Sequence, residues 1–325
     1  MSNPIVPATA ETLDPILEEE TDPSPGRRLP VTGKVAAAVL VLFAIVAIFA
    51  PLFTADPIVN DRGRVTEGCG TGNGLPLYDP LNCADRKALV AQRRGIGEGE
   101  FTHLLGVDGA GRDVFSQLVI GTRTSLLISF LSVGGALLVG GTLGILGGYF
   151  RGRVDAVVGF MFDVFLAYPA LILALAILRF LGQSVGNIAL TVGIVAVPLL
   201  GRIARASTLT WSEREFVTAS KALGAKHGRI IIRDILPNVL PAMLSIAFLA
   251  FGVVIVTEGS LSIIGLGVPD DVMSWGRVLA TGGSNLREFS TMALSAAVVI
   301  TIAVMALNLF GDAVREKFDV RESAL

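Results

Sequence analysis

The sequence predicts an all-α integral membrane protein with six transmembrane helices. Hydrophobic residues make up 52% of its 325 residues, and the mean hydropathy of +0.68 exceeds that of a soluble domain of ordinary composition. Apolar segments long enough to cross a bilayer as helices recur along the chain. Lysines and arginines are concentrated beside alternate ends of these segments, as the positive-inside rule requires of cytoplasmic connections.

The apolar segments give the boundaries of the six spans. In chain order they are 34–53, 125–149, 154–178, 187–200, 239–264 and 291–310. Arg27, Arg28 and Lys34 lie at the N-terminal side of the first span, and Arg151 and Arg153 lie in the turn after the second. A basic excess beside a span marks its cytoplasmic end, so both termini are predicted to be cytoplasmic.

The segments outside the spans differ in composition. Residues 1–33 are predicted to be a disordered cytoplasmic tail, because they contain too little apolar surface to offset the entropy of ordering. They lack the pattern of a secretory signal peptide. Residues 54–115 form a long, glycine-rich extracytoplasmic loop, residues 116–311 the main transmembrane domain, and residues 312–325 a second cytoplasmic tail.

The two cysteines of the chain, Cys69 and Cys83, bracket a turn-rich part of the extracytoplasmic loop. An even number of cysteines in a loop-rich segment of an oxidising compartment favours a disulfide, so we expect them to be joined. Closing a loop of this length contributes roughly 3 kcal/mol in the chain-entropy model. Two unpaired thiols are the alternative, and a metal site is disfavoured because no histidine or second cysteine pair stands near them.

Residues 212–238 form a polar, net basic stretch between long apolar segments. Ser212 and Glu215 fit a capping box, in which each side chain satisfies a backbone N–H left free at a helix start. The capping box predicts a first helix over 213–223. Gly224 suits the left-handed turn that ends this helix, because a residue without Cβ enters that conformation at little steric cost.

A second helix is predicted after this turn, over 225–236. Pro237 is expected to end it, because proline disfavours helical geometry in the preceding residue and donates no backbone hydrogen bond. The stretch therefore predicts two short helices joined by one glycine.

Polar residues occur inside two of the predicted spans. Asp163 and Tyr168 lie in the third span, and Glu258 lies near the outer end of the fifth. A carboxylate at membrane depth is costly, so each is expected to face the protein interior, a water-filled cavity or a cationic partner. Two alternatives stay open: these residues line the path of a solute, or they are structural hydrogen-bonding groups.

Gly140, Gly144 and Gly148 recur at four-residue spacing in the second span and therefore share one helical face. Small residues on a face let a neighbouring helix approach closely. The neighbour is either a helix of another subunit or a helix of this chain.

Two further features are expected at the outer face. Trp275 follows the fifth span, and an indole prefers the membrane–water interface. Asp108, Arg112 and Asp113 surround a glycine-containing turn before the second span. We expect them to form a solvated or self-paired cluster with a structural role.

The sequence excludes several classes of enzyme. It contains no G-x-x-x-x-G-K-[ST] segment, so the chain has no P-loop to cradle the phosphates of ATP. It also lacks H-E-x-x-H, G-x-S-x-G and C-x-x-C motifs, and His103 and His227 are expected to be isolated on opposite sides of the membrane. We therefore predict a non-catalytic protein that binds no cofactor or metal and takes its energy from another polypeptide.

Residues 215–225, 230–231 and 236–238 resemble the EAA loop of bacterial ABC importer permeases, although Phe216 and Val217 precede the alanine of the eponymous pattern. In that family the loop forms cytoplasmic coupling helices that sit in a groove of the ATPase subunit. The resemblance assigns ATPase coupling to Glu215, Phe216, Ala219, Ala222, Leu223, Gly224, Ala225, Leu236 and Pro237.

Other segments are similar to the dipeptide and oligopeptide branch of that family. They are 103–113, 162–169, 258–269 and 308–317. The similarity covers nearly the whole chain from residue 34 onward, except the insertion that contains Cys69 and Cys83. On these motifs the chain is identified as a member of the branch, as its second permease subunit.

The resemblance implies a type I ABC transporter transmembrane domain with coupling helices in the 212–238 loop. It implies a heterodimer with a homologous permease, cytoplasmic ATPase subunits that bind ATP and Mg, and an extracytoplasmic solute-binding protein. The expected location is the lipid bilayer of the bacterial plasma membrane. The expected cargo is dipeptides, oligopeptides or a related solute such as haem or nickel, and no nucleic acid partner is expected because the helix pair lies between spans.

A second class of function is an ion-driven secondary transporter. In that case Asp163 and Glu258 would be the coupling sites, and transport would need no ATPase partner. A channel or a receptor has no filter-like or sensor-like segment to support it.

Overall fold

The computed structural model describes residues 30–49, 105–106, 108, 112–270, 272–284, 286–287 and 290–322, with side chains described up to residue 317. Within these residues the chain is built from helices. They are α1 (Val31–Phe49), α2 (Val114–Phe150), α3 (Gly152–Leu166), α4 (Ala170–Leu181), α5 (Val185–Ser212), α6 (Glu215–Ala222), α7 (His227–Ile230), α8 (Leu236–Ile263), α9 (Trp275–Ser284) and α10 (Ser290–Glu322). A π-helical segment, Ile231–Ile235, joins α7 to α8.

Several predictions concern residues outside the described ranges. The N-terminal tail and most of the extracytoplasmic loop belong to this group, and so does the disulfide between Cys69 and Cys83. These statements, and the division of the chain into domains, stay predictions.

The helices account for the six predicted spans. Five segments are long and apolar enough to cross a membrane: α1, α2, α5, the continuous α7–α8 segment and α10. The pair α3 and α4 passes the same test jointly, which makes six when the pair counts as one span. The helices α2, α5 and α10 exceed the predicted apolar segments in length. α2 has 37 residues, which corresponds to about 55 Å at 1.5 Å per residue.

The third predicted span, 154–178, corresponds to two helices with a sharp bend between them. α3 and α4 meet at an angle of 88°, and the break falls between Leu166 and Ala170. Pro169 has φ and ψ of −56° and 126°, which are not helical. Proline drives the preceding residue away from helical geometry and donates no hydrogen bond, so Tyr168 and Pro169 interrupt the helix within an apolar segment.

The helix α9 is a ten-residue element that the apolar segments do not indicate. It packs against α8 and α10. Its first residue, Trp275, is fully buried within the bundle, and its predicted depth at the membrane–water interface stays a prediction. The indole N–H donates to the Leu118 carbonyl oxygen, and the Trp275 backbone N–H donates to Ser125 Oγ, both at 3.0 Å. Because α2 satisfies its polar atoms, the large ring gains free energy from complete burial.

The helices α2 and α5 pack along much of their lengths, and the glycines of α2 permit it. A Cβ on Gly144 would overlap the Gly201 carbonyl oxygen and would lie 2.9 Å from Ala204 Cβ. A Cβ on Gly148 would lie 2.8 Å from the Arg205 carbonyl oxygen. The predicted glycine face is confirmed, and the neighbour it accommodates is a helix of this chain.

Candidate functional site

The candidate site is the segment between α5 and α8 that the sequence marks as its polar centre. α5 ends at Ser212, and α6 begins three residues later, at Glu215. The predicted capping box is wrong. Ser212 Oγ donates to the Leu209 carbonyl oxygen at 3.0 Å, and Arg214 is the N-cap of α6 without a side-chain hydrogen bond. Because Ser212 still belongs to the last turn of α5, its hydroxyl is used within that helix.

The turn after α6 is the one that the sequence predicts. Gly224 has a φ of +78°, in the left-handed region. Its N–H donates to the Lys221 carbonyl oxygen, and the Ala225 N–H donates to the Ser220 carbonyl oxygen, at 3.0 and 3.1 Å. This pair of bonds is a Schellman motif, which satisfies carbonyl groups left free at a helix end. The turn ends α6, and α7 begins at His227.

The predicted end of the second helix at Pro237 is wrong, because α7, the π segment and α8 form one continuous helical path. The Leu236 N–H donates to the Ile231 carbonyl oxygen five residues earlier, as π-helical geometry requires. Pro237 then occupies the first turn of α8, where its missing N–H is tolerated. The Asn238 side chain donates to the Asp234 carbonyl oxygen at 2.7 Å. This bond satisfies a backbone carbonyl group in the turn before the proline.

The predicted coupling residues divide between two faces. Glu215, Ala219, Ala222 and Pro237 are exposed, as are Phe216 (42%) and Leu223 (88%). Ala225 and Leu236 are half-buried and pack on the cluster beneath the loop. That cluster comprises Ile145, Tyr149, Ala204, Val217, Ile230, Ile235, Val239 and Met243. The loop therefore presents apolar side chains outward while a hydrophobic base holds it on the bundle.

Sequence reasoning missed the residues that hold this loop from below. Val217 is fully buried and anchors α6, although the motif marks its neighbours instead. The prediction that His227 is isolated is wrong. His227 Nδ1 lies 2.8 Å from Tyr149 Oη, within hydrogen-bond distance, although 78 residues separate the two in sequence.

Asp163 lies on α3 and pairs with Arg202 of α5. A second ion pair joins the same helices, with Arg205 Nη2 at 2.7 Å from Asp155 Oδ2. The side chain of Asp163 is 66% exposed, so of the expected environments it has the cationic partner and not burial. Tyr168 is exposed at the break between α3 and α4. In this chain the two aspartates tie the bent α3–α4 pair to α5.

Glu258 is the opposite case, because only 1% of it is exposed. Its Oε1 accepts hydrogen bonds from Ser262 and Ser274 at 3.0 and 2.8 Å. Ser274 Oγ in turn accepts from the Arg277 N–H at 3.1 Å, in the first turn of α9. Glu258 therefore links the end of α8 to the start of α9. The two carboxylates contact different elements, and whether either lines the path of a solute stays a prediction.

The cluster before the second span is self-paired and not solvated. Asp108 is buried, and its carboxylate accepts from Arg112 Nε at 2.8 Å and from Gln117 Nε2 at 3.1 Å. Asp113 is the N-cap of α2 and accepts from the Ser116 N–H at 2.7 Å. A side-chain oxygen at this position satisfies a free N–H of the first turn. The expected structural role is confirmed.

Known proteins are similar to this chain, some in sequence and one in fold. The relatives include the dipeptide transport system permease protein DppC of Alkalihalophilus pseudofirmus, 34% identical over 75% of this chain and 81% of its own length. The glutathione transport system permease protein GsiD of Pectobacterium atrosepticum is 33% identical over 67% of this chain and 72% of its own length. The di/tripeptide transport system permease protein DppC of Pseudomonas aeruginosa is 34% identical over 74% of this chain and 80% of its own length.

A solved structure of the methionine ABC transporter MetNI in an inward-facing conformation matches with a TM-score of 0.54 at 20% identity. The match covers 62% of this chain and 96% of that chain. The fold is therefore the type I ABC transporter transmembrane domain. The model of the family described as binding-protein-dependent transport system inner membrane component matches residues 140–323, which include α5 to α10 and the whole candidate loop. The chain belongs to this family of multi-pass membrane permeases.

Proposed function

We propose that this chain is the transmembrane permease subunit of an importer that moves dipeptides or oligopeptides across the bacterial plasma membrane with energy from ATP. The ATP and Mg bind to partner ATPase subunits, since the sequence has no P-loop. A homologous permease completes the pathway, and an extracytoplasmic solute-binding protein delivers the cargo.

The observation that carries the proposal is the exposed surface of α6. Two apolar side chains of this polar loop are exposed: Phe216 in α6, at 42%, and Leu223 directly after it, at 88%. Exposed apolar side chains set among polar ones are typical of a surface that binds another protein. The short helix α6 lies in the connection between the long helices α5 and α8, and a helix in that position is suited to docking in a groove of an ATPase. Its movement on ATP binding would tilt α5 and α8, to which the loop is joined.

The proposed cargo follows from the relatives, which are named for the transport of dipeptides, di/tripeptides and glutathione. Each of these is a short peptide with charged groups. The comparisons do not support the ion-driven alternative, and the separate environments of Asp163 and Glu258 offer it no joint intramembrane site.

The proposal is tested on the complex purified through an affinity tag on this chain. We expect a second permease and ATPase subunits to co-purify. In proteoliposomes supplied with the solute-binding protein, labelled di- and tripeptides should accumulate with ATP and Mg but not with a non-hydrolysable ATP analogue. An ionophore should leave uptake unchanged. Uptake that needs an ion gradient and no ATP contradicts the proposal, and so does ATP-dependent uptake of haem or nickel but not of peptides.

The proposed orientation makes a separate prediction, which a thiol-labelling experiment checks. In a background with Cys69 and Cys83 replaced by serine, single cysteines introduced at Ser24 and Ser323 should resist a membrane-impermeant maleimide in intact cells. A cysteine at Gln92, in the predicted extracytoplasmic loop, should react. Labelling at either terminus before the cells are opened would contradict two cytoplasmic termini.

A further inference from the structure

The residues at the end of α2 contact both ends of the loop that contains α6. The loop leaves α5 after Ser212 and re-enters the bundle at His227. Tyr149 in the last turn of α2 contacts the second of these points, and Arg151, directly after α2, contacts the first. Both contacts bridge parts of the chain that are distant in sequence.

The contact at the far end of the loop is made by Tyr149. Only 7% of Tyr149 is exposed, and its hydroxyl oxygen lies 2.8 Å from His227 Nδ1. The Lys221 ammonium group, in the last turn of α6, lies 5.3 Å from the centroid of the Tyr149 ring. That distance is within the range of a cation–π interaction. A single buried side chain therefore holds the end of α6 and the start of α7.

The contact at the near end is made by Arg151. Its Nη2 donates to Ser212 Oγ at 3.2 Å and to Glu213 Oε1 at 2.8 Å. Arg151 has φ and ψ of 53° and −165°, a region that is essentially restricted to glycine. In the described part of the chain it is the one residue other than glycine with a positive φ. Such a conformation persists only where surrounding contacts hold it, and here they include Ser212 at the end of α5 and Glu213 in the loop.

We infer that Tyr149 and Arg151 act as positioning residues that transmit movement of the α6 loop to α2; we call the pair the α2 clamp. Without the clamp, the loop would be joined to the bundle through α5 and α8 and through the apolar base beneath it, to which α2 contributes Ile145. With it, direct contacts at both ends of the loop also carry displacement of α6 to the end of α2. Because the glycine face of α2 is interlocked with α5, α2 and α5 move together. The inference rests on the proposed function, since it assigns a route to the coupling proposed there.

The test uses Tyr149→Phe and Arg151→Gly in the complete complex in proteoliposomes. The first variant removes the hydroxyl and keeps the ring, whereas the second removes the guanidinium and relieves the backbone strain. ATP hydrolysis and peptide uptake are measured in parallel, together with subunit content and melting temperature. We expect uptake per ATP hydrolysed to fall about two- to tenfold in each variant, the range that the loss of one or two hydrogen bonds at the surface of the loop allows. Subunit content and melting temperature should stay unchanged.

Further variants separate positioning from simple support. Arg151→Lys keeps a cation near Glu213 and should recover part of the coupling that Arg151→Gly loses. Tyr149→Phe combined with His227→Gln should be no worse than either change alone, because each change removes the same hydrogen bond between Tyr149 and His227. Arg153→Ala, which removes an exposed arginine two residues after the clamp, should behave as wild type.

The outcomes are distinct. Wild-type uptake per ATP in both clamp variants overturns the inference. Loss of ATPase subunits from the variant complexes also overturns it, because the two residues would then only maintain the loop. If the wild-type complex itself shows no ATP-dependent peptide uptake, the proposed function fails, and the inference falls with it before any variant is compared.

Discussion

Replacing Gly144 by valine is expected to prevent the bundle from assembling. A Cβ at this position would overlap the Gly201 carbonyl oxygen and would lie 2.9 Å from both Ala204 Cβ and the Arg205 nitrogen. Two of these atoms belong to the backbone of α5, so no side-chain rotation relieves the contact and the two helices must separate. Overpacking of this kind typically costs about 1–3 kcal/mol, and more where the backbone cannot yield.

The measurement is fluorescence-detected size-exclusion chromatography of detergent-solubilised protein before and after heating. Gly144→Val should give little monodisperse protein, and Gly144→Ala should give protein with a lowered melting temperature. Gly135→Val is the matched control: the residue lies in the same helix, it is exposed, and a Cβ there meets nothing within 4 Å. A Gly144→Val protein that elutes and melts like the control would show that α2 and α5 are not in close contact.

The parts of the fold that the sequence predicts are those with local signals. An apolar segment long enough for a bilayer predicts a span without knowledge of its neighbours. The four-residue spacing of Gly140, Gly144 and Gly148 predicts a close helix contact, and the structure supplies α5 as the partner. Gly224 is predicted because a left-handed residue after a helix needs no distant contact to be favourable.

The errors share a physical cause, which is that a distant group changes the local preference. Trp275, expected in a loop, begins α9 and is buried in the bundle, where the Leu118 carbonyl oxygen, 157 residues away, accepts its indole N–H. Ser212 does not cap α6 because α5 already uses its hydroxyl. Pro237 does not end a helix because the preceding π segment and Asn238 accommodate it.

The candidate loop shows the same division. Most of its motif residues are exposed, whereas several of the buried residues that support it lie outside the motif, on other helices. Tyr149 is the clearest example. It lies at the end of an apolar span, and nothing local indicates a contact with His227, 78 residues later. Pairings at that separation depend on how the bundle packs, and a single sequence does not report it.

Replacing Gly224 by valine is expected to uncouple ATP hydrolysis from uptake while the spans still insert. Gly224 has a φ of +78°, and a Cβ built there meets nothing within 4 Å. The cost of a side chain therefore comes from the backbone alone, at roughly 1–2 kcal/mol for a residue forced into the left-handed region. That cost lowers the population of the correctly turned loop by about 5- to 30-fold relative to its alternatives. Because the strain falls at the tip of the loop, between Leu223 and Ala225, it disturbs the proposed docking surface and leaves the bundle core intact.

Gly228→Val is the matched control for this prediction. Gly228 lies four residues further on, in α7, and a Cβ there also meets nothing within 4 Å, but its φ is not in the left-handed region. Both variants are assayed in reconstituted complexes for substrate-stimulated ATP hydrolysis and for peptide uptake in parallel. We expect Gly224→Val to keep ATP binding and to lose most uptake, Gly224→Ala to be milder, and Gly228→Val to keep both activities. Uptake at the wild-type rate by Gly224→Val would show that the angle set by this turn is not needed for coupling.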